Sequence, residues 1–240
     1  MYKYLFLLSC TVLLMSSCRY RHGKQHSGSG VNGSEQRSVT GFTGVETHGD
    51  IDIVLTQGNF NVRVDADRDL LPDIETVVEN GRLKVRLKDN VSFMDDRGGA
   101  TVYISAPELS AFETHGSGDI RSEGRIADKN KMEIVISGSG DIDLDLDSPE
   151  ISTSTDGSGD ITLRGTTRNL ACKTSGSGDL HAGDLKAENV KVTVHGSGDA
   201  SVFASESLDV EVSGSGDVHY RGAPKISTAV HGSGTVSKMD

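Results

Sequence analysis

A tetrapeptide, Gly-Ser-Gly-Asp, returns through the second half of the chain and limits the possible folds more than any other feature. Six copies and a final variant, Gly-Ser-Gly-Thr, begin 22, 19, 19, 20, 18 and 18 residues apart. A self-similar period of about 20 to 50 residues is typical of a solenoid. The predicted bend residues are Gly116, Gly118, Asp119, Gly138, Gly140, Asp141, Gly157, Gly159, Asp160, Gly176, Gly178, Asp179, Gly196, Gly198, Asp199, Gly214, Gly216 and Asp217.

The residues around each copy alternate between apolar and polar. Around the second copy one parity carries Met132, Ile134, Ile136, Gly138, Gly140, Ile142, Leu144 and Leu146. A period of two predicts strands with one buried face. Both glycines fall on the inward parity, where they let the backbone bend or approach a neighbouring rung closely.

These repeats predict an all-β fold, a single-stranded right-handed parallel β-helix with rungs of about 18 to 22 residues. The return segments are too short for a crossover helix, so each rung must stack on its neighbours to bury its apolar face. Parallel crossovers are overwhelmingly right-handed, which sets the expected hand. A left-handed β-helix with three hexapeptides per coil is the alternative, but the spacing drifts and no six-residue apolar repeat is visible.

The N-terminus has the pattern of an exported lipoprotein. Residues 1–17 combine Lys3 with an apolar run too short to span a bilayer as a helix, which predicts a signal peptide. The small residues before Cys18 resemble the lipobox of bacterial lipoproteins, and this resemblance implies that Cys18 is acylated and anchors the chain to a membrane. An ordinary signal peptide with an incidental cysteine is the alternative. Residues 18–39 are rich in Gly, Ser and polar side chains, and we expect a flexible tether.

The folded body is expected over residues 40–240, with a cap at 40–110 and Gly-Ser-Gly-Asp rungs at 111–237. Thr47-His48-Gly49-Asp50-Ile51 resembles residues 114–120 with two residues removed, which predicts a first rung whose aspartate is Asp50. Four further alternating segments follow it, and Asn80-Gly81 predicts a hairpin turn between two of them. We therefore expect a partly antiparallel β-rich cap at one end of the stack.

These features together resemble the GIN domain, known as the head domain of auto-transporter adhesins. The resemblance rests on the lipobox, Phe42-Thr43-Gly44-Val45, Pro107-Glu108-Leu109 and the repeated tetrapeptide, and it covers residues 40–237. It implies a right-handed β-helix, a cell-envelope location in Bacteroides-like bacteria and a role as an adhesin.

Stacked in register, the repeat aspartates would form a ladder with a spacing of about 4.8 Å. Neighbouring charges at that distance repel by about 0.9 kcal/mol in water, so they must be solvated or accept hydrogen bonds. We expect each carboxylate to accept from the backbone of its own bend, and calcium between rungs is the alternative. Histidine precedes the bend at His48, His115, His195 and His231, but serine or aspartate replaces it in the other rungs, so we expect no metal centre.

Composition argues against catalysis and against nucleic-acid binding. The chain has no Trp and only 5% aromatic residues, whereas glycan-cleaving β-helices need clustered carboxylates and aromatic sugar platforms. Its net charge of -11 disfavours nucleic acid. Cys172 shares the inward parity and should be a buried thiol without a catalytic role.

The sequence therefore predicts a non-catalytic binding module of the outer membrane, held by a lipid anchor and facing either the periplasm or the cell surface. A protein or glycan is the expected ligand, no cofactor is expected, and homo-oligomers are compatible with the regular faces. A polysaccharide-active β-helix enzyme and a periplasmic structural scaffold are the alternative functions.

Overall fold

The computed structural model describes residues 24–26, 30–89, 91–93 and 99–239. The predicted signal peptide, Cys18 and residues 19–23 of the predicted tether lie outside the described residues. No helix in the described part is long and apolar enough to cross a membrane.

The described chain is built almost entirely from strands. They are β1 (Lys24–His26), β2 (Asn32–Arg37), β3 (Gly44–Gly49), β4 (Ile51–Gln57), β5 (Asn61–Asp67), β6 (Ile74–Glu79), β7 (Arg82–Leu87), β8 (Val91–Phe93), β9 (Ala100–Ala106), β10 (Ala111–Gly116), β11 (Ile120–Ala127), β12 (Lys131–Gly138), β13 (Ile142–Gly157), β14 (Ile161–Gly176), β15 (Leu180–Gly196), β16 (Ala200–Gly214), β17 (Val218–Gly222), β18 (Lys225–Gly232) and β19 (Val236–Lys238). A 3-10 turn, Leu71–Asp73, precedes β6.

The predicted parallel β-solenoid is confirmed, and it has about seven turns. Strands β10 to β19 pair with equivalent segments one rung away, all in parallel. In β13 and β14 the ladder skips Pro149 and Arg168, where each long strand turns a corner. Each rung thus has two strand segments. The segment before Gly-Ser-Gly-Asp forms part of one sheet, the pre-bend face, and the segment after it forms part of a second sheet, the post-bend face.

The core lies between these two faces. Along β13 the buried apolar residues are Ile142, Leu144 and Leu146 on the post-bend segment and Ile151 on the pre-bend segment, where Thr153 and Thr155 are also buried. The other parity faces solvent or is only partly buried. The alternation of apolar and polar residues in the sequence therefore corresponds to the alternation of core and surface positions in the structure.

The N-terminal region forms the predicted cap. Strands β7 and β9 pair in parallel with β3 and β4 and so add a layer beneath the first rung. Beyond them β6 and β5 pair antiparallel with β7 and β9. Asn80 and Gly81 make the predicted turn between β6 and β7, with φ of 52° and 77°.

Two expectations about this region are wrong. Residues 32–37 are not part of a flexible tether, because β2 pairs antiparallel with β5 over its whole length and Arg37 donates to the Leu71 carbonyl at 2.7 Å. An edge strand of this kind is held by backbone hydrogen bonds and needs few apolar side chains. Composition alone therefore could not reveal it.

The first rung also has no deletion. Gly49 pairs with Gly116 and Ile53 with Ile120, so Asp50 takes the place of Ser117, Ile51 that of Gly118 and Asp52 that of Asp119. Below Ile51 lies Ala100 of β9 rather than another Gly-Ser-Gly bend, and this neighbour leaves room for a side chain.

Substitution of a second-position glycine tests how closely the rungs approach. A Cβ at Gly178 would overlap the carbonyl oxygen of Gly159, whereas a Cβ at Gly183 would meet nothing nearer than Arg221 Nη1 at 3.8 Å. Neither glycine has a positive φ. We expect Gly178→Ala to lower the free energy of unfolding by about 1–3 kcal/mol, the usual cost of overpacking, and Gly183→Ala to change it by less than about 0.5 kcal/mol.

Chemical denaturation of both variants, followed by circular dichroism, measures this difference. Equal stability of Gly178→Ala and Gly183→Ala would contradict the close approach of the rungs.

Candidate functional site

The Gly-Ser-Gly-Asp bends form one edge of the solenoid, and their backbone groups are bonded from rung to rung. The carbonyl of Gly116 accepts from the amides of Ser139 and Gly140 in the next rung, at 2.8 and 3.0 Å. The same arrangement recurs at Gly138, Gly157 and Gly196. The first glycine of each copy also has a left-handed φ, 131° at Gly176, which a side chain would strain. Both glycines of the motif are therefore structural.

The repeat aspartates form the predicted ladder, but its hydrogen bonds differ from those predicted. Each carboxylate accepts from the backbone N–H of the aspartate one rung further on, not from its own bend. Asp141 N donates to Asp119 Oδ1 at 2.8 Å, and Asp160 N donates to Asp141 Oδ1 at 2.8 Å. The same bond joins Asp179 to Asp160, Asp199 to Asp179 and Asp217 to Asp199.

The two ends of the ladder are specified by the sequence. Asp52, not the predicted Asp50, accepts from Asp119 N at 3.0 Å. At the far end Thr235 donates both its N–H and its hydroxyl to Asp217 Oδ1, at 2.7 and 2.8 Å. Threonine has no carboxylate to offer a further rung, so the ladder stops there.

The pKa values of two ladder carboxylates, Asp119 and Asp217, are shifted in opposite directions. Burial raises the pKa of Asp119, and the negative charges of Asp52, Asp141 and Asp50 add to this, while the Asp141 N–H opposes it. The hydroxyl and then the N–H of Thr235 lower the pKa of Asp217. The inner carboxylates serve as acceptors along a structural edge, which is a poor arrangement for acid–base chemistry.

A second cluster lies on the pre-bend face where the cap meets the first rungs. His48 and His115 occupy the same repeat position in neighbouring rungs, and their rings stack with centroids 4.7 Å apart and planes 17° apart. Each histidine contacts the glutamate two residues before it. His48 Nε2 lies 2.6 Å from Glu46 Oε1, and His115 Nε2 lies 2.7 Å from Glu113 Oε1. We name these four residues the His–Glu cluster.

Basic side chains of the cap neutralise the two glutamates. Lys84 Nζ lies 3.4 Å from Glu46 Oε1, and Arg82 Nη1 lies 2.6 Å from Glu113 Oε2. Burial alone would raise the pKa of Glu46, but the hydrogen bond with His48 and the charge of Lys84 outweigh it and hold the pKa below its usual value. Glu46 is thus a buried, ionised carboxylate with an exposure of only 7%.

The His–Glu cluster borders an open cavity of about 560 Å³. His48, Ser117, Lys84 and Arg86 line it together with the acidic residues Asp50, Glu79 and Asp89, so the cavity wall has a ring nitrogen and charges of both signs. Within the described residues, Glu46, His48 and His115 are the group whose donor atoms, all within 4.8 Å of one another, could hold a metal ion. The aspartate ladder does not form such a group in that part of the chain.

The sequence analysis identified the two histidines but missed both glutamates. A signal was present, since Glu-Thr-His-Gly occurs at residues 46–49 and again at 113–116. Alternate residues of a strand share a face, so each glutamate had to lie beside its histidine. Only the rung pairing, across 67 residues of sequence, could show that the two pairs stack on each other.

Cys172 is the buried thiol that its parity predicted. Burial raises its pKa to about 12, and a contact with Thr153 opposes this only in part. A thiol with such a pKa stays protonated at neutral pH and is a poor nucleophile.

The raised pKa of Asp119 gives a pH-dependent prediction. Its ionised form is disfavoured in the folded state, so its contribution to stability falls as the pH rises from the usual aspartate pKa through the raised one. Asp119→Asn keeps an oxygen acceptor for Asp141 N but removes the charge. We expect this variant to match the wild type at acidic pH and to be more stable at neutral pH.

Asp119→Ala is the matched comparison, since it removes the acceptor as well and should cost about 1 kcal/mol. Denaturation midpoints at acidic and neutral pH measure both effects. An Asp119→Asn variant less stable than the wild type at neutral pH would show that the charge itself stabilises the ladder.

The chain resembles known proteins in both sequence and fold. A family model described as "Putative auto-transporter adhesin, head GIN domain" matches residues 41–224. No curated protein matches the chain. Among solved structures, a "putative adhesin" from Bacteroides fragilis NCTC 9343 has a TM-score of 0.82 at 24% identity, over 90% of this chain and 100% of that one.

Two structures from Parabacteroides distasonis ATCC 8503 are also similar, each over 90% of this chain and 100% of its own. A "putative lipid binding protein" has a TM-score of 0.75 at 26% identity, and a "putative adhesin" has a TM-score of 0.67 at 24% identity. The structural likeness supports the β-solenoid, and the family model covers most of the sequence. The chain therefore belongs to the GIN-domain family, whose model is described as "Putative auto-transporter adhesin, head GIN domain".

Proposed function

We propose that this protein is a lipid-anchored, non-catalytic module of the outer membrane that acts as an adhesin by binding a protein or glycan. The observation that carries this proposal is the match of the GIN-domain family model over residues 41–224. Family membership supports the adhesin-like class and a cell-envelope location. To these we add the lipid anchor at Cys18, the outer membrane and a protein or glycan ligand as proposals.

The solenoid suits a contact role because it presents extended, regular and polar faces. On the post-bend face, Arg164 makes two hydrogen bonds to Asp143 and Arg125 Nε donates to Asp145 at 2.8 Å. These pairs join neighbouring rungs and hold side chains in fixed positions. A surface that is already ordered loses little conformational freedom on binding, which favours recognition of a partner.

Three features of the described residues favour binding over catalysis. The aspartates of the bend edge accept backbone hydrogen bonds along the stack. Cys172 is buried with its pKa raised to about 12. The Glu46 carboxylate, which lies in the His–Glu cluster, is held ionised by His48 and Lys84 and so lacks the proton that a general acid needs.

The lipid anchor can be tested directly at Cys18. In a Bacteroides host supplied with an alkyne-labelled fatty acid, the wild type and Cys10→Ala should incorporate the label, whereas Cys18→Ala should not. Cys10 is the matched control because it lies within the predicted signal peptide. Equal labelling of Cys18→Ala and the wild type would contradict acylation at this residue.

The adhesin proposal requires the solenoid to be outside the cell. An epitope placed after Asp240 should be lost when intact cells are treated with protease, without release of a periplasmic marker. Exposed protein should then retain defined ligands on a glycan and protein array without cleaving them. Protection until the outer membrane is opened would contradict the adhesin proposal and favour a periplasmic scaffold, and depolymerisation of a glycan would contradict the non-catalytic role.

A further inference from the structure

We propose that His48, His115 and Glu46 bind a divalent transition metal ion of the Zn²⁺ class at the junction of the cap and the first rungs. This site goes beyond the adhesin function, because its existence does not depend on which ligand the faces bind or on which side of the membrane the protein lies.

The donor atoms are brought together by the stacking of rungs. One ring nitrogen each of His48 and His115 and one carboxylate oxygen of Glu46 all lie within 4.8 Å of one another. Two imidazoles and one carboxylate form a donor set that zinc uses when a fourth position is left for water or another ligand. Imidazole also binds Cu²⁺ and Ni²⁺, so the donors define a class of ions and not a single metal.

Binding requires only a small movement of exposed side chains. Zinc–nitrogen bonds of about 2.0–2.1 Å in a tetrahedral site place two nitrogens about 3.3 Å apart, so the stacked rings must tilt towards each other at their Nε2 edges. The histidine side chains are 39% and 32% exposed, which leaves room for that tilt. The metal ion takes the place of the protons through which His48 Nε2 contacts Glu46 Oε1 at 2.6 Å and His115 Nε2 contacts Glu113 Oε1 at 2.7 Å, and both protons pass to solvent.

Glu46 is the fixed member of the site. Its side chain is 10% exposed and lies between Lys84 and His48, so its carboxylate is already desolvated before an ion arrives. Lys84 is the competing cation, and its Nζ also lies 3.4 Å from Glu79 Oε2. Lys84 can therefore keep an ion pair with Glu79 when a metal ion occupies Glu46.

The cluster has open space in front of it. His48 lines the cavity of about 560 Å³ that also contains Ser117 and Arg86. A metal ion held by three protein donors keeps one position for a water molecule or for an oxygen of a bound molecule. That position would be filled from this cavity.

The rest of the solenoid provides a matched control. His195 occupies the same repeat position as His115, but its neighbours in the adjacent rungs are Ser175 and Ser213. It therefore has no second imidazole beside it. If metal binding needed only an exposed histidine before the bend, replacing His195 would weaken it as much as replacing His115.

Isothermal titration calorimetry of the purified full chain with ZnCl₂ tests the site. We expect one Zn²⁺ per chain at this site with a Kd in the micromolar range or tighter. His48→Ala, His115→Ala and the isosteric Glu46→Gln should each weaken binding at least tenfold, and His195→Ala should change it by less than twofold. Circular dichroism spectra of all variants check that the fold is retained.

The thermal unfolding midpoint with and without zinc is a second test of the site, which is needed if one of the alanine variants folds poorly. Because the site joins β3 to β10, zinc should raise the thermal midpoint of the wild type and of His195→Ala but not of Glu46→Gln. Binding that survives in His48→Ala and His115→Ala would place the ion elsewhere, for instance at His22 and His26, and would overturn the proposal. An absence of binding below about 100 μM in the wild type would overturn it as well.

Discussion

The close approach of backbone at the Gly-Ser-Gly-Asp bends is the constraint on which the rest of the structure depends. At Gly178 and its equivalents the neighbouring rung occupies the space that a Cβ would need. The glycine carbonyl of one rung then accepts two amides of the next, and the following carboxylate accepts a third. This bonding fixes the register of the rungs at the bend edge, whereas the post-bend strands contain register shifts, as between Arg121 and Arg125 and between Thr162 and Arg164. These bulges absorb extra residues, so the repeat spacing drifts while the pre-bend segments stay in register.

A fixed register also determines what the surface can present. Side chains at one repeat position lie above one another. When two consecutive rungs carry the same type of residue at that position, the two side chains are therefore in contact. Further along the stack, a histidine before the bend lies next to serine, as at His195 and Ser213. The cap separates His48 from His115 in sequence, yet the chain returns so that β10 stacks directly on β3. The stacked histidine pair thus arises where the cap meets the solenoid, beside the basic residues Lys84 and Arg82 of the cap.

The sequence was sufficient for the solenoid because periodicity and glycine placement are local signals that repeat. It was insufficient where long-range pairing decides the structure. The polar segment Asn32–Arg37 gave no apolar pattern, and only its partner β5 makes it a strand. Asp50 looked like the first ladder residue because a glycine precedes it, but the rung pairing gives that place to Asp52. The partners of Glu46 could be inferred within its own strand, whereas its position near His115 required the three-dimensional stack.

Amide hydrogen exchange followed by NMR tests the central claim most directly, since it reports on the bend amides one by one. In the inner rungs the amides of Ser158, Gly159 and Asp160 each donate to the preceding rung. They should exchange as slowly as amides in the middle of β13 and β14, although they lie in a turn at the surface. Exchange at the rate of an unstructured loop would show that the bends are not bonded from rung to rung and would contradict the account.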